Sequence, residues 1–422
     1  MLKNWSYYKT FFIVKREDIN MKIFQVNVVY GTKSTGRIAA AISSELKKNG
    51  FECETAYGRG HNSAEDSYRI GSDIDVIRHI IIARLFDREG YGSAKATEKL
   101  IEHIKEDQPD IIQLHNIHGY YVNIILLFKF LKEYNKPVVW TLHDCWAFTG
   151  HCAYFDYVQC DKWKTGCYKC VNKTDYPKSI LMDRSSLNYN LKKQIFLEIN
   201  NLTLVTPSNW LKELVKKSFL KGLECRVIYN GIDLEEFQYH DSDFRGKNGI
   251  SENEKIVLGV ASNWSKRKGL NDFIELNRRI SGKCRIVLVG IDKKRYKKLP
   301  TSIICIDKTD SVRELAEIYS TADVFVNPTY EDNFPTVNLE ALACGTPVIT
   351  YDTGGSKECL CEGIGETVKK GDLDALEKAI ESVINMLISR DDCRRRAEMY
   401  SKERCYQKYI ELYNQLFCGE MK

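Results

Sequence analysis

The sequence predicts an α/β protein of two doubly wound domains, and three observations carry that prediction. At 422 residues the chain exceeds what one hydrophobic core usually supports, so two cores are the default. From Met21 onward, short apolar runs alternate with stretches of helical periodicity, the pattern of repeated strand–loop–helix units. The segment from Asp323 to Glu358, DVFVNPTYEDNFPTVNLEALACGTPVITYDTGGSKE, shows one such unit whole. Asp323 to Pro328 and Pro347 to Tyr351 read as strands, and Val337, Leu339, Leu342 and Ala343 recur at helical spacing between them. Pro335 stands at the helix start, where its missing amide hydrogen costs little, and Gly345 stands where a C′ residue belongs. The helix thus opens at the carboxyl end of a strand. There a doubly wound sheet binds phosphate, because free amides and the helix dipole point outward.

Composition bounds the class. With 43% hydrophobic and 28% charged residues the chain is ordinary for a globular protein. No run of eighteen apolar residues occurs, so no membrane-spanning helix is expected. Residues 1–20 lack a signal-peptide pattern. They read either as an upstream extension from a misassigned start or as a short membrane-surface arm of Trp5, Tyr7, Tyr8, Phe11 and Phe12. A cytoplasmic location follows as the expectation. The net charge of +5 is clustered, in Lys293, Lys294, Arg295, Lys297 and Lys298 and again in Lys216, Lys217 and Lys221. Such runs are solvated faces or sites of attraction to anionic lipid. No nucleic-acid motif accompanies them, so no nucleic-acid partner is expected.

Fifteen cysteines without a secretion signal read as reduced thiols. Cys145, Cys152, Cys160, Cys167 and Cys170 crowd together. Cys167 and Cys170 have zinc-knuckle spacing, and Cys152 and Cys160 complete a possible four-thiolate site. The intervening AYFDYVQCDKWKTG is poor in aliphatic residues, so a staple would help it fold. Structural zinc, packed free thiols and a disulfide all remain open readings. Catalytic zinc does not, since four thiolates leave no open position.

The elements follow in order. Lys22 to Val29 is a strand, and Arg37 to Lys48 a helix stopped by Gly50. The joining loop from Gly31 to Ile38 nearly spells a phosphate-binding loop, but Arg37 replaces the required Lys and Ile38 the hydroxyl residue. Gly36 either lets the backbone approach a ligand or serves a turn. Asp110 to Leu114 is a strand that runs into His115 and His118, imidazoles at the ligand-binding edge of a sheet. Val138 to Leu142 ends likewise, in His143 and Asp144. Leu202 to Pro207 is a strand, and Ser208 caps a helix from Trp210 to Lys217. Asn230-Gly231 is a turn, and the polar residues 238–253 read as a linker. Lys255 to Ala261 opens the second domain, and the loop SNWSKRKG precedes a helix from Leu270 to Ile280. Its Lys266, Arg267 and Lys268 would hold a diphosphate beside the helix start. Arg285 to Gly290 and Ser302 to Asp307 add strands, and Thr353 to Ser356 brings two glycines that permit close approach to a ligand. Helices from Asp372 to Ile388 and from Arg404 to Phe417 close the chain. Asp332 and Glu340 frame the helix start of the central unit, and Glu340 lies about 7–8 Å along its axis. A carboxylate there can accept two ribose hydroxyls.

The Asp323–Glu358 segment resembles the signature of retaining GT-B glycosyltransferases of family 4, in which two acids eight positions apart flank a Phe-containing loop. That motif normally begins with Glu; the matching position is Asp332, with Glu331 just before it. VIYNGIDLEEF, Val227 to Phe237, resembles the phrase that closes the first domain in these enzymes. The resemblance implies two Rossmann-like domains facing a cleft, over residues 21–238 and 239–398, with a final helix, 399–422, crossing back to the first. It implies a nucleotide-diphosphate sugar held mainly by the second domain, retention of configuration, and no cofactor or catalytic metal. Catalytic roles fall to His118, with His115 second, and to Asp332 and Glu340. Donor contacts fall to Gly31, Ser34 and Gly36, to Arg267 and Lys268, and to Asn333, Phe334, Pro335, Thr336 and Glu340. The acceptor is expected to be a saccharide or a lipid-linked saccharide at the inner face of the cell membrane, in building a bacterial capsule, O-antigen or exopolysaccharide. A sugar-nucleotide epimerase of the same fold is the alternative. A non-catalytic nucleotide-sugar-binding protein is another, supported only by Asp332 standing in place of Glu.

Overall fold

The structure is a computed structural model that describes residues 21–419 except 63, 281, 293–295, 297–298 and 387. The aromatic arm of residues 1–20 and the basic residues Lys293, Lys294, Arg295, Lys297 and Lys298 lie outside the described residues. Among the described residues no helix is long and apolar enough to cross a membrane.

Two parallel sheets organise the chain. The first contains β1 (Lys22–Asn27), β2 (Glu52–Tyr57), β3 (Ser67–Arg69), β4 (Ile111–Leu114), β5 (Val138–Thr141), β6 (Leu202–Thr206) and β7 (Glu224–Val227), in the order β3-β2-β1-β4-β5-β6-β7. The second contains β8 (Lys255–Val260), β9 (Cys284–Val289), β10 (Ile304–Ile306), β11 (Val324–Asn327), β12 (Val348–Tyr351) and β13 (Gly365–Val368), in the order β10-β9-β8-β11-β12-β13. Helices cover both faces, so the central strands β4, β5, β11 and β12 are buried at every position and are mostly apolar. In each sheet the strand order reverses once, between β1 and β4 and between β8 and β11. A doubly wound sheet binds ligands in the crevice beyond the carboxyl ends of the strands at such a reversal. The loops after these four strands are therefore where a site is expected.

The helix Lys402–Phe417 packs on the first sheet, not the second. Tyr413 donates to Gln113 of β4 at 2.9 Å, and the Tyr409 hydroxyl bonds Thr141 of β5 at 2.8 Å. The chain crosses where Ile232 pairs with Ser401 in an isolated bridge. Arg394 fixes the crossing by donating to the carbonyls of Leu234, Phe237 and Ala343. The polar stretch 238–253 is not bare linker: it holds a short helix, Phe244–Lys247, whose Phe244 is buried and whose Arg245 pairs with Asp323 at 3.0 Å.

Side chains also join the two halves across the cleft. Glu358 accepts from the amides of Asn209 and Trp210 at 2.8 and 2.9 Å, at the start of the helix Asn209–Lys217, and from the Tyr229 hydroxyl at 3.0 Å. A carboxylate there satisfies orphan amides and complements the dipole. Glu358→Ala is expected to lower the unfolding free energy by about 1–3 kcal/mol, the range for charged hydrogen bonds and stranded donors. Urea denaturation checks this; an unchanged midpoint would show the contact to be idle.

Candidate functional site

The second half supplies the acids and cations. A three-residue turn, Lys266–Lys268, follows β8 and ends at Gly269, which adopts a φ of +74°. A Cβ there would stand 2.3 Å from the Pro328 carbonyl oxygen, so only glycine lets this turn meet the end of β11. The meeting brings the cations to the loop after β11. Lys268 pairs with Asp332, and both side chains keep partial exposure. Arg267 donates to the Glu331 carbonyl at 2.7 Å, and its guanidinium lies 4.5 Å from the centre of the Tyr154 ring.

The helix Thr336–Ala343 begins at Pro335 and points its start toward this group. Glu340 is buried on it, accepting from Tyr319 at 3.0 Å and from Thr336 at 3.3 Å. Burial pushes its carboxyl above the ordinary range, against the opposing charge of Arg37 and the two hydroxyl donors. Arg37 comes from the first half of the chain, so the cleft places a cation opposite Glu340.

The two adjacent acids have separate fates. Glu331 is buried and accepts the Asp156 amide at 2.5 Å across the cleft, while Lys370 bonds the Asp156 carboxylate at 2.6 Å. Burial also raises the Glu331 carboxyl. Asp332 alone faces the cation.

On the first half, His118 is buried, with Nε2 bonded to Asp144 and Nδ1 to the Tyr176 hydroxyl, both at 2.9 Å. Burial works against ionised Asp144, but the His118 ring and the Trp146 amide hold its carboxyl below the usual range. His115 and His143 stack with ring centres 5.4 Å apart, and burial pushes His143 down to about 4. These imidazoles stand at the carboxyl ends of β4 and β5, the edge that faces the second half.

Several residues of the motif are engaged in holding the cleft together. The Asn333 side chain accepts from Ser208 at 2.5 Å and donates to the His143 carbonyl at 3.2 Å, so it joins the halves. Phe334 packs against Tyr229 and Tyr400, with ring centres 5.0 and 5.7 Å away. The glycines expected to approach a ligand pack on the chain itself: a Cβ on Gly354 would stand 1.6 Å from the Asp332 carbonyl oxygen. Gly36 lies in the first turn of a helix that begins at Lys33, four residues earlier than its periodicity suggests, and the missing Cβ accommodates Val29. Its helix start, with Gly31 and Ser34, still opens at the β1–β4 reversal.

The four cysteines Cys152, Cys160, Cys167 and Cys170 line one small cavity together with His151. Among the described residues, no three His, Cys, Asp or Glu side chains stand at metal-binding separation.

Arg37 and Tyr319 escaped the sequence reading. Arg37 is legible there only as the residue that spoils a phosphate loop, and Tyr319 only as part of an apolar helix face. Pairing either with Glu340 requires the tertiary structure.

Comparison with known proteins follows the same division. The model of Glycosyltransferase Family 4 matches residues 35–236, and that of Glycosyl transferases group 1 matches residues 241–399. The chain is 26% identical to the putative colanic acid biosynthesis glycosyl transferase WcaC of Escherichia coli K12, over 94% of this chain and 100% of that one. It is 28% identical to the capsular polysaccharide biosynthesis glycosyltransferase CapM of Staphylococcus aureus, over 44% of this chain and 53% of CapM. Sucrose-phosphate synthase from Thermosynechococcus elongatus superposes with a TM-score of 0.69 at 18% identity, over 94% of this chain and all of that one. Anabaena HepE in complex with UDP-glucose superposes with a TM-score of 0.64 at 15% identity, over 94% and 100%. These distant likenesses speak to the fold. With a family 4 half, a group 1 half and a GT-B framework under both, the chain belongs to the group 1/family 4 glycosyltransferases.

Proposed function

We propose that the protein moves a hexose, with retention of configuration, from a nucleotide-diphosphate donor to a saccharide or lipid-linked acceptor in bacterial surface-polysaccharide synthesis. The observation that carries this reading is the convergence of Lys268, Asp332, Glu340 and the Thr336 helix start at the β8–β11 reversal. In this reading Glu340 accepts the ribose hydroxyls, and Lys268 exchanges Asp332 for the diphosphate. Arg267, Lys268 and the helix start near Phe334 and Pro335 then stabilise the leaving diphosphate without a metal ion. Asp332 and the amide at Asn333 face the sugar. His118 reaches it once the Tyr176 hydroxyl gives way, with Asp144 holding its other nitrogen.

The full-length likeness to a colanic acid glycosyl transferase supports the polysaccharide role. The UDP and UDP-glucose complexes of a structural neighbour support a uridine donor. A peripheral position at the inner membrane face draws support from the helix Asp73–Phe86. There Ile74, Ile77 and Ile81 are 61%, 56% and 50% exposed on one stripe, and Ile180, Leu181 and Met182 lie exposed beside its end. Exposed Arg78, Arg84, Arg88 and Lys178 flank the patch, complementing anionic lipid. The same reading divides the chain into an acceptor domain at 21–238, a donor domain at 239–398 and a returning helix at 399–422.

A thermal-shift screen of uridine and guanosine diphosphate sugars tests the proposal. A true donor at one hundred times its Kd stabilises the protein by about 2.7 kcal/mol. The anomeric proton of the product, read by NMR, then reports retention. No stabilisation by any nucleotide diphosphate would refute the site, and an altered nucleotide sugar released without acceptor would make the protein an epimerase instead.

A further inference from the structure

We infer that the loop from Gly150 to Ser185 is a structural zinc module in which His151 is a ligand beside three of the cysteines, the Cys167–Cys170 pair among them. Sequence spacing alone points to four thiolates. The structure adds a better candidate for the fourth position.

His151 is only 4% exposed, and its Nδ1 bonds the Asp87 carboxylate at 2.5 Å. Its Nε2 is buried and has no hydrogen-bond partner among the described residues. A buried polar nitrogen left so is unfavourable, whether it presents a lone pair or a proton. The ring lines a cavity of about 20 Å³ together with Cys152, Cys160, Cys167 and Cys170. Asp87 is itself held in place, accepting the Arg184 amide at 2.7 Å while its carbonyl accepts from Asn188 at 2.9 Å. A carboxylate that fixes one imidazole nitrogen and leaves the other for a cation is the usual support of a metal-bound histidine.

Two further donors in the loop suit a thiolate acceptor. Among the described residues Trp163 Nε1 is buried without an acceptor, and the Gly150 amide donates to the Cys167 sulfur at 3.2 Å. The loop's regular structure is one turn, Lys162–Lys164, and its Ala153, Phe155 and Trp163 pack into the first half's core, which fixes the wall on which the cysteines stand. Among the described residues no three such side chains stand at metal-binding separation, so the inferred site requires side chains to be drawn inward when the ion binds. Three thiols lose their protons to solvent as the ion enters, and neutral His151 supplies the fourth bond. Three thiolates and one imidazole make a closed tetrahedral site, with no position for substrate.

The consequence reaches the cleft. This loop carries Tyr154, which stacks on Arg267, and Asp156, which bonds Glu331 and Lys370. A metal that orders the loop therefore orders the first half's contacts with the proposed diphosphate cations, at a distance from any chemistry.

The test uses the full chain purified without chelator. Elemental mass spectrometry should find about one zinc ion per chain, and cobalt exchanged for it should show the thiolate charge-transfer and tetrahedral bands of a sulfur-rich site. His151→Gln and Cys170→Ser should lose the metal, and Asp87→Asn should bind it about 10–100-fold more weakly. Cys361→Ser, at an exposed cysteine outside the loop, should retain it. A wild-type chain that holds no zinc and takes none up overturns the inference without recourse to any variant. So does a thiol titration of the denatured chain that falls two short of its fifteen cysteines, which would mean a disulfide. Full zinc occupancy in His151→Gln would overturn the histidine ligand.

Discussion

Lys268→Ala is expected to lower kcat by about 10²–10³-fold, the usual loss when one preorganised charge facing a transition state is removed. The proposed transfer gathers negative charge on a departing nucleoside diphosphate, and among the described residues three features stand ready to meet it. Arg267 is held by the Glu331 carbonyl and the Tyr154 ring, so its position is set before any donor arrives. The helix start contributes only partial charge. Lys268 is the group whose partner, Asp332, is a side chain able to release it. Its charge is therefore both available and movable. The ion pair is partly exposed, so breaking it changes fold stability little, and the loss should fall on function. Binding separates this from general damage: the alanine variant should lose affinity for a nucleoside diphosphate while keeping its affinity for the nucleoside. Lys268→Arg should restore charge but not the compact geometry of an ammonium, giving partial recovery. Equal loss for nucleoside and diphosphate would mean that the turn has collapsed, and no loss at all would place the diphosphate elsewhere.

What the sequence made legible followed from burial. Strands β4, β5, β6, β8, β11 and β12 are mostly apolar because helices cover both faces, and each was readable within a residue or two. Two edge strands were not. β3 and β7 are only partly buried, and Ser67–Arg69 and Glu224–Val227 carry the polar residues that an exposed edge tolerates. The helix Lys33–Lys48 began earlier than expected because its first turn, KSTG, carries no apolar periodicity and no side-chain cap. At the site, spacing marked Asp332, Glu340 and Lys268, since their distances along the chain are set by local structure. It could not separate Glu331 from Asp332, because adjacent residues diverge only once the loop is folded. Nor could it show that Asn333 and Phe334 hold the domains together, since their partners Ser208, Tyr229 and Tyr400 are distant in sequence.

Glu340→Gln is expected to move stability and function in opposite directions. The carboxyl is held above its ordinary value of 4.5 by burial, with Arg37, Tyr319 and Thr336 offsetting only part of the penalty. Between the ordinary and the raised value, the folded protein binds more protons than the unfolded chain. Stability therefore falls as pH rises through that window and stays lower above it. Glutamine fills the same space without the charge, so the variant should melt at a higher temperature than the wild type at neutral pH. The difference should close as pH falls through the window and Glu340 takes up its proton. Donor binding should weaken by about 1.5–3 kcal/mol, on the order of 10–100-fold, because hydrogen bonds to a charged acceptor are replaced by weaker ones. The two effects share one cause: burial penalises the charged form of the carboxylate in the free protein, and ribose hydroxyls donating to it offset that penalty. Melting curves from pH 4 to 8, set beside donor titrations, check both sides. A variant less stable at every pH would make Glu340 a structural acid, and unchanged donor affinity would remove it from the site.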